Sequence, residues 1–293
     1  MADDKEEGSS PNEAIFFVLS YLPVFELLAM SQICKSLRYA INNDILPWLK
    51  IVVDRPINWR ITDEILVKIA SKAKGRLQTL ALINCVRITD DGLLSVVAQN
   101  PHITKLHVPS CVSLSPEGVV NAVKLLSNHN YTLKTLRING IHNINNQQLE
   151  TLRSLIINQS QHITAKILYH EHTKLSTLDH ISTSHPIDVD TCPICNEVKM
   201  VFDCPQMPCQ QREIISECRG CESCVPRCVE CGICVQESEE ALCSDTLCLE
   251  CWLKLPKCNF CNKPYCSKHA DRQERVSGST VGFVCAACYL KWN

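Results

Sequence analysis

Six cysteines fall within the seventeen residues CRGCESCVPRCVECGIC, from Cys218 to Cys234. Thiols at that density can pair as disulfides, exchange electrons, or hold a metal ion as thiolates. The wider spacing favours metal. Cys192-x2-Cys195 and Cys204-x4-Cys209 precede the run of Cys218, Cys221, Cys224, Cys228, Cys231 and Cys234. Cys243-x4-Cys248-x2-Cys251, Cys258-x2-Cys261-x4-Cys266-x2-His269 and Cys285-x2-Cys288 follow it. A C-x2-C turn sets two thiolates on one side of an ion at tetrahedral distance, and two such turns complete a site. The nineteen candidate ligands suit about four zinc ions and leave three donors over. Shared thiolates, or His185 as a twentieth ligand, would absorb that remainder. The last eight ligands, from Cys248 to Cys288, group most naturally as a two-ion unit, with alternating ligand pairs as one option.

A rival reading exists for part of the run. Cys218-x2-Cys221-x2-Cys224-x3-Cys228 has the spacing of a ferredoxin-type iron–sulfur site, but Val229 stands where a proline is expected. Zinc is the first expectation and an iron–sulfur cluster the alternative. Redox compartment bears on the choice between metal and disulfide. The start, MADDKEEGSS, is acidic and polar, unlike a secretory leader. The apolar stretch at 14–30 is interrupted by Pro23 and Glu26, so no membrane span is expected. These features imply a nuclear or cytoplasmic chain with reduced thiols. Net charge is −2, and the region from Cys192 onward has 13 acidic against 11 basic residues. Four thiolates around a divalent ion add further negative charge, so nucleic acid is not an expected partner.

Something must position these ligands, and the remaining residues divide by composition. Only Cys34, Cys85 and Cys111 lie before residue 190. The middle of the chain repeats itself. LQTLALINCVRITDDGLLSVVAQ starts at Leu77, and a second copy starts at Ile103, with an offset of 26 shared by Cys85/Cys111 and Gly92/Gly118. A third copy starts at Leu133, and ITAKILY at 163 reads as a degraded strand of a fourth. Upstream, ITDEILVKIA matches the second half of a unit. The form L-x-x-L-x-L-x-x-C followed by I-T-D-x-G-L predicts a strand, a turn and a helix per copy. It resembles the cysteine-containing class of leucine-rich repeats. Cys85 and Cys111 take a small buried position in it, and Ile141 fills the same place in the third copy, so packing explains them. A short solenoid needs its ends capped.

The first fifty residues predict three short helices. Ile15, Val18, Leu19 and Leu22 recur at helical spacing until Pro23 ends the helix. Leu27, Leu28, Ile33 and Leu37 continue the apolar pattern, and Trp48 closes it. This stretch resembles an F-box. The I-x-x-x-L-S-x-L-P core runs from Ile15 through Leu19-Ser20-Tyr21-Leu22-Pro23, and a later I-C-K-x-L-R element is Ile33 to Arg38. Ser10-Pro11 replaces the usual opening Leu-Pro, and Leu37 the commoner Trp. An F-box followed by repeats and a cysteine-rich tail is similar to plant Skp-interacting-partner F-box proteins. The resemblance implies a non-catalytic substrate receptor of an SCF-type ubiquitin ligase, docking on a Skp-type adaptor and through it on a cullin. It also implies that Ile15, Leu19, Leu22 and Pro23 contact the adaptor, with Leu27 and Leu28 helping.

The expected architecture is therefore an α+β multi-domain chain. It comprises an F-box at 10–50, a short α/β solenoid at 51–168, a linker at 169–190 and a zinc-stabilised cysteine-rich module at 191–293. Target proteins would be held by the repeats, the zinc module or both. Two alternatives stay open: a zinc-dependent scaffold without adaptor binding, and a self-sufficient zinc-finger ligase. Against the latter, the gap from Cys251 to Cys258 is shorter than a RING pattern expects and no Cys-x-His step follows it. No nucleotide-binding, serine-hydrolase or H-E-x-x-H motif is present.

Overall fold

The computed structural model describes residues 13–128, 133–156, 185–210, 218–273 and 283–292. These fall into two units, 13–156 with 185–190, and 191–292. The expected strand at 163 and most of the expected linker lie outside the described residues.

The first unit opens with helices α1 (Glu13–Val18), α2 (Val24–Ile33) and α3 (Lys35–Asn43). Leu22 is extended, at φ −80° and ψ 140°, because the ring of Pro23 disfavours a helical conformation before it. Pro23 then stands at the N-cap of α2. Leu19, Val24, Leu27, Leu37, Ile41 and Trp48 form the buried core of this small bundle. The Trp48 indole N–H donates to the Ile41 carbonyl at 2.7 Å, so the largest buried ring carries no unpaired donor.

Four strands and four helices then alternate. The strands β1 (Lys50–Val53), β2 (Thr79–Leu82), β3 (Lys105–His107) and β4 (Thr135–Arg137) form one parallel sheet in chain order. Ile51, Leu80, Leu106 and Leu136 stand in register across it, all buried, as the period of two requires. Helices α4 (Asp63–Ala70), α5 (Asp90–Gln99), α6 (Pro116–Ser127) and α7 (Asn146–Ile156) return the chain between strands or follow the last one. After β2, β3 and β4 the equivalent residue of each copy takes the left-handed conformation: Asn84 at φ 57°, Ser110 at 55° and Gly140 at 82°. Cys85 and Cys111, each one residue further on, are fully buried. The Cys111 thiol donates to the Leu82 carbonyl of the preceding copy at 3.2 Å.

The I-T-D-x-G-L motif has a physical basis here. The Asp63 carboxylate accepts from the Thr89 backbone N–H at 2.9 Å and from its hydroxyl at 2.7 Å. Asp90 repeats this with Ser115 one copy later, at 2.9 and 2.6 Å. Each aspartate thus satisfies the start of the next helix. The glycine of the motif leaves room for it: a Cβ on Gly92 would lie 2.1 Å from Asp63 Oδ1, and one on Gly118 2.0 Å from Asp90 Oδ1. The third copy lacks the glycine and caps itself, with Asn145 and Gln148 exchanging backbone N–H to side-chain bonds at 2.8 and 2.9 Å.

The far edge of the sheet is covered by residues from beyond the gap. Ile187 bridges Leu136 in parallel, and buried Asp188 accepts the N–H groups of Ile138 and Asn139 at 2.8 and 3.2 Å. The second unit has little regular structure. Two short strands, Val201–Phe202 and Gly220–Cys221, pair antiparallel, and the longest α-helices among the described residues are Leu249–Lys254 and Ala286–Trp292. Its small cores consist in good part of cysteines: Cys192, Val201 and Cys221 in one, Cys228, Leu247, Cys248 and Cys266 in the next, and Cys258, Tyr265, Phe283 and Cys285 in the third. No helix among the described residues is long and apolar enough to cross a membrane.

Candidate metal centres and the helical surface

The tail brings together potential ligands from distant points in the chain. Three groups of four thiols form: Cys192, Cys195, Cys221 and Cys224; Cys228, Cys231, Cys248 and Cys251; and Cys258, Cys261, Cys285 and Cys288. Within each, the sulfurs lie within 4.8 Å of one another. Cys204, Cys209 and Cys234 form a further group, and Cys218 Sγ lies 3.5 Å from Cys209 Sγ and 3.6 Å from Cys234 Sγ. The last group is mixed: Cys243, Asp245, Cys266 and His269. All nineteen ligands expected from spacing are therefore placed in clusters, and Asp245 joins them.

The local turn is the same in all three four-thiol groups. The first cysteine of each opening pair accepts, through its carbonyl, the N–H of the residue after the second: Asn196 at 2.9 Å, Gly232 at 2.8 Å and Asn262 at 2.9 Å. Those three residues are left-handed, at φ 57°, 76° and 54°, a conformation that Gly and Asn reach most readily. The first cysteine's own N–H donates one residue further along, to Glu197, Ile233 and Lys263. In two of these groups the closing pair opens a helix: Cys248 precedes Leu249–Lys254 and Cys285 precedes Ala286–Trp292, with Cys251 and Cys288 on the first turn.

The electrostatics show what the clusters need. At Cys192, burial opposes ionisation, yet N–H donors of Cys195, Cys221 and Ile194 bring the thiol down to about 6. At Cys258, burial is likewise outweighed by N–H groups of Cys261, Cys285 and Phe260, again giving about 6. Cys204 and Cys228 are also lowered against burial by backbone donors. Their neighbours go the other way. Cys224 is raised to about 12 by its bond to Cys221 and by burial. Cys288 is raised to about 12 by its bond to Cys285 and by burial, and Cys209 to about 11 by burial and Cys218. In each of the four all-cysteine groups the backbone thus lowers one thiol, while burial and the bonds among the sulfurs raise at least one of its neighbours. A divalent cation at the centre removes that conflict, so the donor sets fit a metal.

Three expectations are corrected by this pairing. The ferredoxin-like run is dispersed: Cys218 joins Cys209 and Cys234, Cys221 and Cys224 join Cys192, and Cys228 joins Cys248. Regular spacing along the chain does not bring those four thiols to one cluster. The last eight ligands do not form a closed pair of sites, because Cys248 and Cys251 are taken by Cys228 and Cys231. Among the described residues His185 joins none of these clusters; it lies in the first unit, where its carbonyl accepts from the Arg137 guanidinium at 2.9 Å. Asp245 was not among the expected donors because a lone carboxylate carries no spacing signal.

The helical start presents a different kind of surface. Among the residues expected to meet an adaptor, Leu28 is exposed and Ile15, Leu22 and Pro23 are half-buried. Leu19 and Leu27 are at 1% and 0% exposure, so in this conformation they hold the bundle together and offer no surface. Phe17, Val18, Tyr21 and Phe25, which were not among the expected adaptor contacts, are exposed beside them in the chain.

An F-box domain family model matches residues 11–49. A second, described as the At3g27290 F-box protein C-terminal domain, matches 188–260. The chain is 40% identical to F-box protein SKIP28 of Arabidopsis thaliana over 300 residues, covering 99% of this chain and 94% of that protein. It is 34% identical to F-box protein SKIP14 and 33% identical to F-box protein At3g27290, both also of Arabidopsis thaliana, over 86% and 82% of its own length. It spans only 56% and 65% of those two longer proteins. With its helical start matched separately and one relative aligned nearly end to end, this chain belongs to the F-box protein family.

Proposed function

We propose that the chain is the substrate-receptor subunit of an SCF-type ubiquitin ligase. The observation that carries this reading is the F-box match at 11–49, lying on a bundle that exposes Phe17, Val18, Tyr21, Phe25 and Leu28. Exposed apolar side chains grouped on a small bundle suit burial against a partner. In this reading Ile15, Leu22, Pro23 and Leu28 meet a Skp-type adaptor, while Leu19 and Leu27 shape the helices from inside. A cullin joins through the adaptor, and ubiquitin transfer takes place elsewhere in the complex. The receptor itself is non-catalytic.

The parallel strands and alternating helices at 50–156 serve as a short leucine-rich-repeat solenoid. The shared left-handed turn and the aspartate ladder support that reading. The four all-cysteine groups are zinc sites, since soft thiolates in fours are the donor set of structural zinc. Cys192, Cys195, Cys221 and Cys224 hold one ion, Cys204, Cys209, Cys218 and Cys234 a second. Cys228, Cys231, Cys248 and Cys251 hold a third, and Cys258, Cys261, Cys285 and Cys288 a fourth. Zinc here supplies folding energy and no reaction step. Target proteins bind the repeats, the zinc module or both, in the reducing nucleus or cytoplasm.

Co-purification with a Skp-type adaptor tests the receptor role, with wild type beside Leu22→Ala/Leu28→Ala and circular dichroism on both. Capture by the wild type and loss in the folded variant is the expected result. A folded wild type that captures no adaptor contradicts the reading and leaves a zinc-dependent scaffold.

A further inference from the structure

We infer that Asp245 is a metal ligand and that Cys243, Asp245, Cys266 and His269 form a fifth zinc site, the most readily exchanged in the tail. This deepens the zinc reading above and rests on it. The first support is register. The Cys266 N–H donates to Cys243 Sγ at 3.4 Å. The Cys221 N–H meets Cys192 Sγ at 3.4 Å, the Cys285 N–H meets Cys258 Sγ at 3.4 Å, and the Cys234 N–H meets Cys204 Sγ at 3.5 Å. Cys266 stands at the N-cap of the short helix Ser267–Arg272 with His269 three residues on, as Cys248 stands to Cys251. The mixed group thus has the closing half of a thiolate site in full.

The second support is convergence of the opening half. Cys243 and Asp245 are separated by one residue, where the other opening pairs have two or more. Ser244 between them is left-handed, at φ 60°, which turns the carboxylate back toward the sulfur. Asp245 Oδ2 lies 3.0 Å from Cys266 Sγ and 3.0 Å from His269 Nδ1, and those two are 3.2 Å apart. Three chemically different donors within a single ion's reach, with a fourth from Cys243, match a tetrahedral centre.

The third is topology. In chain order the opening pair of this group falls between Cys231 and Cys248, and its closing pair between Cys261 and Cys285. It is interleaved with both neighbouring groups. Counting it, eighteen cysteines, His269 and Asp245 supply twenty donors, enough for five complete sites with none left over.

Its donor set differs from the rest. Two thiolates, a carboxylate and a neutral imidazole bring a charge of −3 to the ion against −4 from four thiolates. Oxygen and nitrogen also bind a borderline-soft ion less tightly than sulfur. This site therefore releases its ion before the others.

The test is zinc per full-length chain by elemental mass spectrometry, together with the time course of zinc release to EDTA. Wild type is expected to hold five ions and to release one at least tenfold faster than the other four. Asp245→Ala should hold four and lack the fast phase. Asp245→Cys should hold five, with the fast phase abolished, which separates ligand loss from misfolding. Five ions and an unchanged fast phase in Asp245→Ala would overturn the inference, as would four ions in all three proteins, which leaves the thiolate sites standing. A wild type without zinc removes both readings.

Discussion

The repeat region and the cysteine tail solve the same problem by different means. Both must order a chain of short elements and loops. The repeats do so with Leu80, Leu106 and Leu136 stacked in one buried row and with aspartates that bond the next copy. In the tail, the buried positions are largely the ligands themselves. Apolar area stabilises the first whether or not an ion is present. In the proposed reading the second depends on a cation at the centre of each cluster, where thiols otherwise crowd together. The contrast proposed is between one region that folds by burial and another that folds by coordination.

Stripping the metal should separate the two most sharply. Structural zinc is worth on the order of 10 kcal/mol per site. With chelator under reducing conditions, hydrogen exchange across 192–288 should become fast while peptides of the repeats stay protected. A tail that keeps its protection without metal would break the contrast. Leu80→Ala should do the converse, lowering the stability of the repeats by about 2–5 kcal/mol in a denaturant titration and leaving the zinc count unchanged.

Acid gives a smaller, directional effect within the repeats. His107 is buried, 3.0 Å from Thr135 Oγ1. Burial first, then the charges of Arg137, Lys105 and Lys50, bring its pKa from 6.5 down to about 4. Unfolding frees the ring to take up a proton near its ordinary value, so between about 6.5 and 4 the unfolded chain binds more protons. The contribution to stability is complete above this window and is lost as pH falls through it, up to about 3 kcal/mol. Hydrogen exchange of β2–β4 peptides across this range should show the loss, and His107→Gln should flatten it. Smallest is Gly92→Ala. The added methyl displaces the Asp63 carboxylate from Thr89 and should cost about 1–2 kcal/mol in thermal or denaturant unfolding, with little effect if the ladder is ornamental.

The same contrast governs what could be read from sequence. The repeats were legible because burial imposes a period: shared offsets located the strands, and the I-T-D-x-G-L motif marked helix starts before Asp63 and Gly92 were seen to share one space. The side chains that cluster in the tail were legible for the same reason, since C-x2-C is a local geometry. Pairing was not. Which turns meet is decided by how the chain loops back, so Cys248 and Cys251 joined Cys228 and Cys231, outside the eight-ligand unit expected from Cys248 to Cys288. Asp188, capping β4 from some fifty residues away, and Asp245 gave no periodic signal. Leu19 and Leu27 show the limit of motif transfer, because helical spacing alone does not say which apolar side chains face inward.

The most direct test of the receptor reading is adaptor capture by the full chain before and after metal removal, with hydrogen exchange on both samples. Adaptor should be retained in both, because the F-box bundle has its own apolar core, while protection at 192–288 collapses in the stripped sample. A metal-replete, folded chain that leaves the adaptor unbound would contradict the receptor role.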